Sequence, residues 1–209
     1  MELLQLPNDG YIRHSLPKDL FDALLTEAFE CFNNQKIVTG LRRTDGNQTC
    51  DHYGMSDKNT NDLKDFIFPY IDHYRENFTY LNDIHYLSSN SPYVFGKPWY
   101  NIQTPNQYLP IHTHEGILSY TIWLKLPISS EFSFHYNGIV NQHIHKLELA
   151  PKDEGDFIIF PNKLSHQVYP FLSDDPNETR ISISGNIFLQ GVEDFKSGKN
   201  LYVGHPLSK

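Results

Sequence analysis

Apolar positions fall in two rhythms along the chain, and the rhythm changes near Trp99. After Leu16-Pro17-Lys18-Asp19 comes LFDALLTEAFECFNNQ, with apolar residues at Leu20, Phe21, Leu24, Leu25, Ala28 and Phe32. That spacing covers one face of an amphipathic helix, which Asn33-Asn34 ends. A polar, turn-rich stretch runs from Arg42 to Asn59. The helical rhythm resumes over Asn61–Tyr80, at Leu63, Phe66, Ile67, Tyr70, Ile71, Tyr74 and Phe78. A Ser-, Asn- and Pro-rich loop over Ser88–Pro98 closes the helical part.

From Trp99 onward the chain breaks into short runs divided by turns. They are WYNIQ (99–103), YLPIH (108–112), LSYTIWLKL (118–126), FSFHY (132–136), HKLELA (145–150), DFIIFP (156–161), HQVYPF (166–171) and RISISGNIFL (180–189). Each is close to the usual strand length of about five to six residues. Successive short strands of this kind close into sandwiches, jelly rolls or cupin-like barrels. The expected fold is therefore mainly β with N-terminal helices (α+β). We expect one domain over 1–209: helical support over 1–98, a β-core over 99–190 and a C-terminal tail over 191–209.

Composition narrows the classes of function. The 209 residues are 39% hydrophobic and 20% charged, which is ordinary globular chemistry. Aromatic residues reach 14%, which suits pleated surfaces. A formal charge of −8, with no run of Lys or Arg, argues against a broad electrostatic grip on nucleic acid. No apolar stretch is long enough to span a membrane. The N-terminal MELLQLPNDGY does not read as a secretory signal. The two cysteines, Cys31 and Cys50, read as reduced thiols, so a cytoplasmic location is expected.

Three segments carry candidate chemistry. In Pro110-Ile111-His112-Thr113-His114-Glu115-Gly116, residues two apart on an extended chain share a face, so His112 and His114 can offer two nitrogen donors to one metal. In Gly155-Asp156-Phe157-Ile158-Ile159-Phe160-Pro161, an apolar strand runs to a Pro turn and delivers His166 shortly after. Three ligands on one side of a metal leave positions open for small molecules. In Arg180-Ile181-Ser182, 14 residues beyond His166, a guanidinium and a hydroxyl share a strand face and can clamp a carboxylate. His143-Ile144-His145 repeats the His-x-His spacing and reads as a solvent-facing pair. Trp99 and Trp123 read as core residues.

These blocks, from WYNIQ…YLPIHTHEG through GDFIIFPNKLSHQVYPF to RISISGNI, resemble the 2-oxoglutarate and Fe(II)-dependent oxygenases. The likeness is strongest to small phage-like and bacterial members labelled prolyl hydroxylases. It spans about Trp99 to Phe188. It implies a double-stranded β-helix, Fe(II) as cofactor, and 2-oxoglutarate and oxygen as cosubstrates. The implied activity is dioxygenase hydroxylation of a C–H bond, on a prime substrate that no residue specifies. His112 and His166 match the family's two histidines, Arg180 its basic residue and Ser182 the serine of Arg-x-Ser. Asn101 is a further expected cosubstrate contact.

The departure from the family is His114, where Asp or Glu is usual. An all-histidine triad, ligation by Glu115 after a local bulge, and a two-histidine site are the readings open at this point. Two rival functions stand beside the oxygenase. One is a cupin-type metalloenzyme that does not use 2-oxoglutarate, and the other a non-catalytic β-sandwich binding protein.

Overall fold

The structure is a computed structural model that describes residues 10–34, 51–78, 93–137 and 141–189. Cys50, the tail over 191–209, and residues 42–50 and 88–92 of the two loop stretches lie outside the described residues. The described residues form two α-helices and eleven strands. β1 (Ile12–Ser15) precedes α1 (Lys18–Asn33), and β2 (Asp51–Gly54) precedes α2 (Asp57–Asn77). There follow β3 (Tyr93–Phe95), β4 (Trp99–Gln103), β5 (Leu109–His112), β6 (Leu118–Lys125) and β7 (Ser130–Asn137). β8 (Gln142–Leu149), β9 (Asp156–Pro161), β10 (Ser165–Val168) and β11 (Arg180–Leu189) complete the chain.

Seven strands make the major sheet, in the order β1-β9-β6-β11-β4-β2, with β3 joining the end of β11. Four make the minor sheet, in the order β5-β10-β7-β8. All pairings are antiparallel. The two sheets form the double-stranded β-helix that the family resemblance implied, and the helices pack on the outer face of the major one.

Strand alternation gives the major sheet two different faces. Ile181, Ile183 and Ile187 of β11, with Tyr100 and Ile102 of β4 and Phe157 and Ile159 of β9, pack against the helices. α1 meets them with Leu24, Ala28 and Cys31, and α2 with Leu63, Ile67, Ile71 and Tyr74, the stripe expected of an amphipathic helix. Between the sheets lies a second, aromatic core of Trp123, Phe132, Phe134, Ile158 and Phe160. Glu27 ties the helical layer together. Its carboxylate accepts from the Ser56 amide at 2.7 Å, from Asn59 Nδ2 at 2.5 Å and from the Tyr100 hydroxyl at 2.9 Å.

Several expectations shift. α1 starts two residues early, at Lys18, and α2 spans Asp57–Asn77 rather than 61–80. The stretch read as all helix and loop also supplies β1, β2 and β3, and the major sheet needs all three as edge or end strands. Among the described residues, no helix is long and apolar enough to cross a membrane.

Candidate metal centre

The site lies where the minor sheet hands the chain to the major one. His112 is the last residue of β5, and His166 sits opposite it on β10 as its direct cross-strand partner. A register shift between His166 and Val168 interrupts this ladder, a bulge of the kind that re-aims side chains beside sites. The chain leaves β5 still extended and alternates: Ile111, Thr113 and Glu115 are exposed, while His112 and His114 turn inward. Gly116 then turns the chain into β6 at φ 104°, where a Cβ would meet the Ile187 carbonyl oxygen at 2.6 Å.

The three imidazoles converge. Ring centroids lie 4.3 Å apart for His112 and His166, 5.0 Å for His112 and His114, and 4.9 Å for His114 and His166. One ring nitrogen from each falls within 4.8 Å of the others. His112 Nδ1 donates to the Pro110 carbonyl at 2.7 Å and His166 Nδ1 to the Leu164 carbonyl at 2.9 Å. Those bonds fix the tautomer and leave each Nε2 lone pair for the cluster. His114 Nε2 lies 3.1 Å from His166 Nε2, a spacing at which two lone pairs repel unless a proton or a cation stands between them. Glu115 is exposed and contributes no oxygen to the cluster. The donor set is thus three nitrogens, which suits a divalent transition metal.

His166 is 3% exposed, with Phe132 stacked on its ring and Phe160 edge-on. Burial, followed by His112 and His114, holds its pKa well below the ordinary histidine value of 6.5. Above about pH 6.5 the residue is neutral whether the chain is folded or not, and contributes nothing. Below it the unfolded chain binds a proton that the folded chain refuses, so stability falls as pH falls. Metal-free protein should lose about 1.4 kcal/mol per pH unit through His166, until its depressed folded value is reached. His166→Phe, which suits the aromatic surroundings, should flatten the slope. Urea unfolding of both proteins at pH 5 and pH 7 tests this, and equal slopes would refute it.

A polar lane runs away from the histidines along the inner face of the major sheet. Trp99 is half-buried, its ring 6.2 Å from that of His114, so it belongs to the site and not to the core; Trp123 is the core residue expected. Trp99 Nε1 donates to Asn101 Oδ1 at 3.1 Å. Asn101 Nδ2 reaches Ser184 Oγ at 2.9 Å and Ser182 Oγ at 3.4 Å. Asn101 therefore has both ends of its amide engaged within the protein. At the far end Arg180, 2% exposed, faces Gln103 across the strands and donates Nε to Gln103 Oε1 at 3.0 Å. Phe171 lies under its guanidinium at 5.3 Å. Arg180 and Ser182 share the face, as their spacing predicted. Ser182, Ser184 and Asn186 are partly exposed between buried isoleucines and Gly185, so the lane is open to solvent.

Gln103 and Phe171 were not anticipated. Gln103 is 1% exposed, and its Nε2 has no hydrogen-bond partner among the described residues. A buried donor left open beside a guanidinium fits an acceptor-rich ligand end such as a carboxylate. His143, by contrast, stacks on Tyr136 and His145 meets the Tyr11 hydroxyl at 3.2 Å, both on the exposed strand β8. A groove of about 780 Å³ between β1 and α2, lined by Tyr11, Phe66 and Tyr70 among others, includes none of the residues of the site.

Three imidazoles thus converge at the mouth of a double-stranded β-helix, with a buried guanidinium on its inner face, an arrangement that suits a non-haem metal centre. Residues 97–186 match the family described as "Putative 2OG-Fe(II) oxygenase", which implies Fe(II) as cofactor and 2-oxoglutarate as cosubstrate. Among solved structures, the chain is similar to a Pseudomonas putida prolyl-4-hydroxylase, with 14% identity, a TM-score of 0.58, and 87% of this chain and 94% of that one covered. It is also similar to the viral collagen prolyl hydroxylase of Paramecium Bursaria Chlorella virus-1, at 15% identity and a TM-score of 0.56, covering 85% and 94%. The α-ketoglutarate-dependent epimerase SnoN from nogalamycin biosynthesis has 15% identity and a TM-score of 0.58, with 96% and 91% covered. At these identities the likeness is one of fold. No curated protein sequence matches the chain.

Proposed function

We propose that the protein is a 2-oxoglutarate-dependent dioxygenase in which His112, His114 and His166 hold Fe(II) and Arg180 with Ser182 receives the far carboxylate of 2-oxoglutarate. The convergence of three imidazole nitrogens within 4.8 Å carries this reading. Bound iron supplies the activation of oxygen, coupled to conversion of 2-oxoglutarate to succinate and carbon dioxide.

The chain's own residues do the rest. His112 and His166 present Nε2 lone pairs because their Nδ1 protons are committed to backbone carbonyls. Arg180 offers its fork from a buried position where screening is weak, and Gln103 adds its open Nε2 donor alongside. Asn101 reaches the cosubstrate through Ser182, whose hydroxyl it orients. Phe132, Phe134 and Phe160 keep water from the His166 side of the cluster. Three neutral ligands leave a divalent ion with its full double charge, one more than a triad containing a carboxylate. With Arg180 this makes the lane strongly attractive to the 2-oxoglutarate dianion.

The described helices and the β-core share one hydrophobic core and act as one unit. The reaction proposed is hydroxylation of a C–H bond on a prime substrate that no residue specifies; two proteins of similar fold are named prolyl hydroxylases, which makes a peptide the first substrate to test. The test is direct. Purified protein supplied with Fe(II) should form succinate from 2-oxoglutarate, slowly without a prime substrate. Absence of binding to both 2-oxoglutarate and its N-oxalyl analogue, with metal present, would remove the reading.

A further inference from the structure

Of the three histidines, two lie on paired strands and one does not. His112 and His166 face each other across the β5–β10 ladder. His114 lies beyond the end of β5, on the connector that crosses to the major sheet. Something other than a strand ladder has to fix its backbone.

Asn162 does so. It occupies the turn between β9 and β10, is 1% exposed, and grips the His114 peptide at both ends. The His114 amide donates to the Asn162 carbonyl at 2.9 Å, and Asn162 Nδ2 donates to the His114 carbonyl at 2.9 Å. The Asn162 amide donates in turn to the Ile117 carbonyl at 3.2 Å, closing the far side of the connector. The side chain is used one-sidedly: Oδ1 is buried and has no hydrogen-bond partner among the described residues. Leaving an acceptor unmet lowers stability. An asparagine in this place is therefore explained by the donor that it turns toward His114. Leu164, which receives the His166 Nδ1 proton, lies in the same turn. One short turn thus sets the position of two of the three imidazoles.

We infer that Asn162 is a positioning residue for the metal centre, acting through the His114 peptide. This rests on the triad's holding a metal, and the test separates the two claims. Co(II), whose visible spectrum reports its ligands, is titrated into the full-length protein, Asn162→Asp, His114→Ala and the double variant. Asn162→Asp keeps the size of the side chain but sets a carboxylate oxygen against the His114 carbonyl.

Co(II) affinity should fall about 10- to 100-fold in Asn162→Asp, the range for residues that orient metal ligands, with an altered visible spectrum. In the His114→Ala background the same substitution should change affinity less than about threefold, because the group it positions is gone. A purely structural role would cost the same factor in both backgrounds, and that result overturns the inference, as does unchanged affinity in Asn162→Asp. Should Asn162→Asp fail to fold, Asn162→Ala removes the donor without adding charge and enters the same cycle. Wild-type protein that binds no Co(II), or binds it equally well without His114, overturns the metal site itself and this inference with it. Loss in His114→Ala without loss in Asn162→Asp overturns this inference alone.

Discussion

Arg180→Ala is expected to weaken 2-oxoglutarate binding by between about 30-fold and a thousandfold, as removal of one partner from a buried charge-assisted pair costs about 2–4 kcal/mol. Metal affinity should stay within about twofold, since the three imidazoles do not involve β11. Arg180→Lys should recover little of the loss: an ammonium cannot reproduce a planar fork held between Gln103 and Phe171. Calorimetric titration of 2-oxoglutarate into metal-loaded protein measures both variants. The same experiment separates the oxygenase from a cupin-type metalloenzyme, whose site would be indifferent to Arg180. Full-strength 2-oxoglutarate binding in Arg180→Ala would end the assignment of this residue.

His166→Ala carries the other large effect. His166 is the most buried of the triad, and its Nδ1 bond to Leu164 fixes its donor direction. Its loss should weaken metal binding by more than about 100-fold, beyond the range for residues that merely orient ligands, and take succinate formation to background. His143→Ala is the matched control, from a pair with the same spacing as His112 and His114, and should change neither quantity. Metal analysis of freshly purified proteins, with succinate assays on each, gives the answer. Equal metal content in His166→Ala and wild type would contradict it.

Much of this was legible in the sequence, and the reasons differ by element. The strands from β4 to β11 each alternate or run apolar over several residues, so a period of two and the flanking turns mark them well; β4, β9 and β11 fall where expected, residue for residue. β1 reads IRHS and β2 reads DHYG. Neither has an apolar face of its own, and each is a strand because β9 or β4 offers it a ladder. β3 is three residues long, too short to show a period. The convergence of His112 and His114 followed from alternation alone. Alternation could not tell that pair from His143 and His145, because a period fixes which residues share a face and not whether the face meets a cavity or water. Gln103 and Asn162 were out of reach for a further reason. Each matters through one hydrogen bond, to a partner 77 residues away in one case and 48 in the other, and no local pattern encodes such a bond.

The position of His114 on the connector has a last consequence. His112 and His166 stand on one sheet, while His114 is tied through Asn162 and Gly116 to the start of β6 and the end of β9 on the other. An ion gripped by all three rings would rivet the two layers of the sandwich at its open rim. Resistance to heat would then climb with the concentration of the ion, as for any ligand that binds only the folded chain. Metal-free protein would lack that rivet and should be cut faster by an added protease than the metal-loaded form.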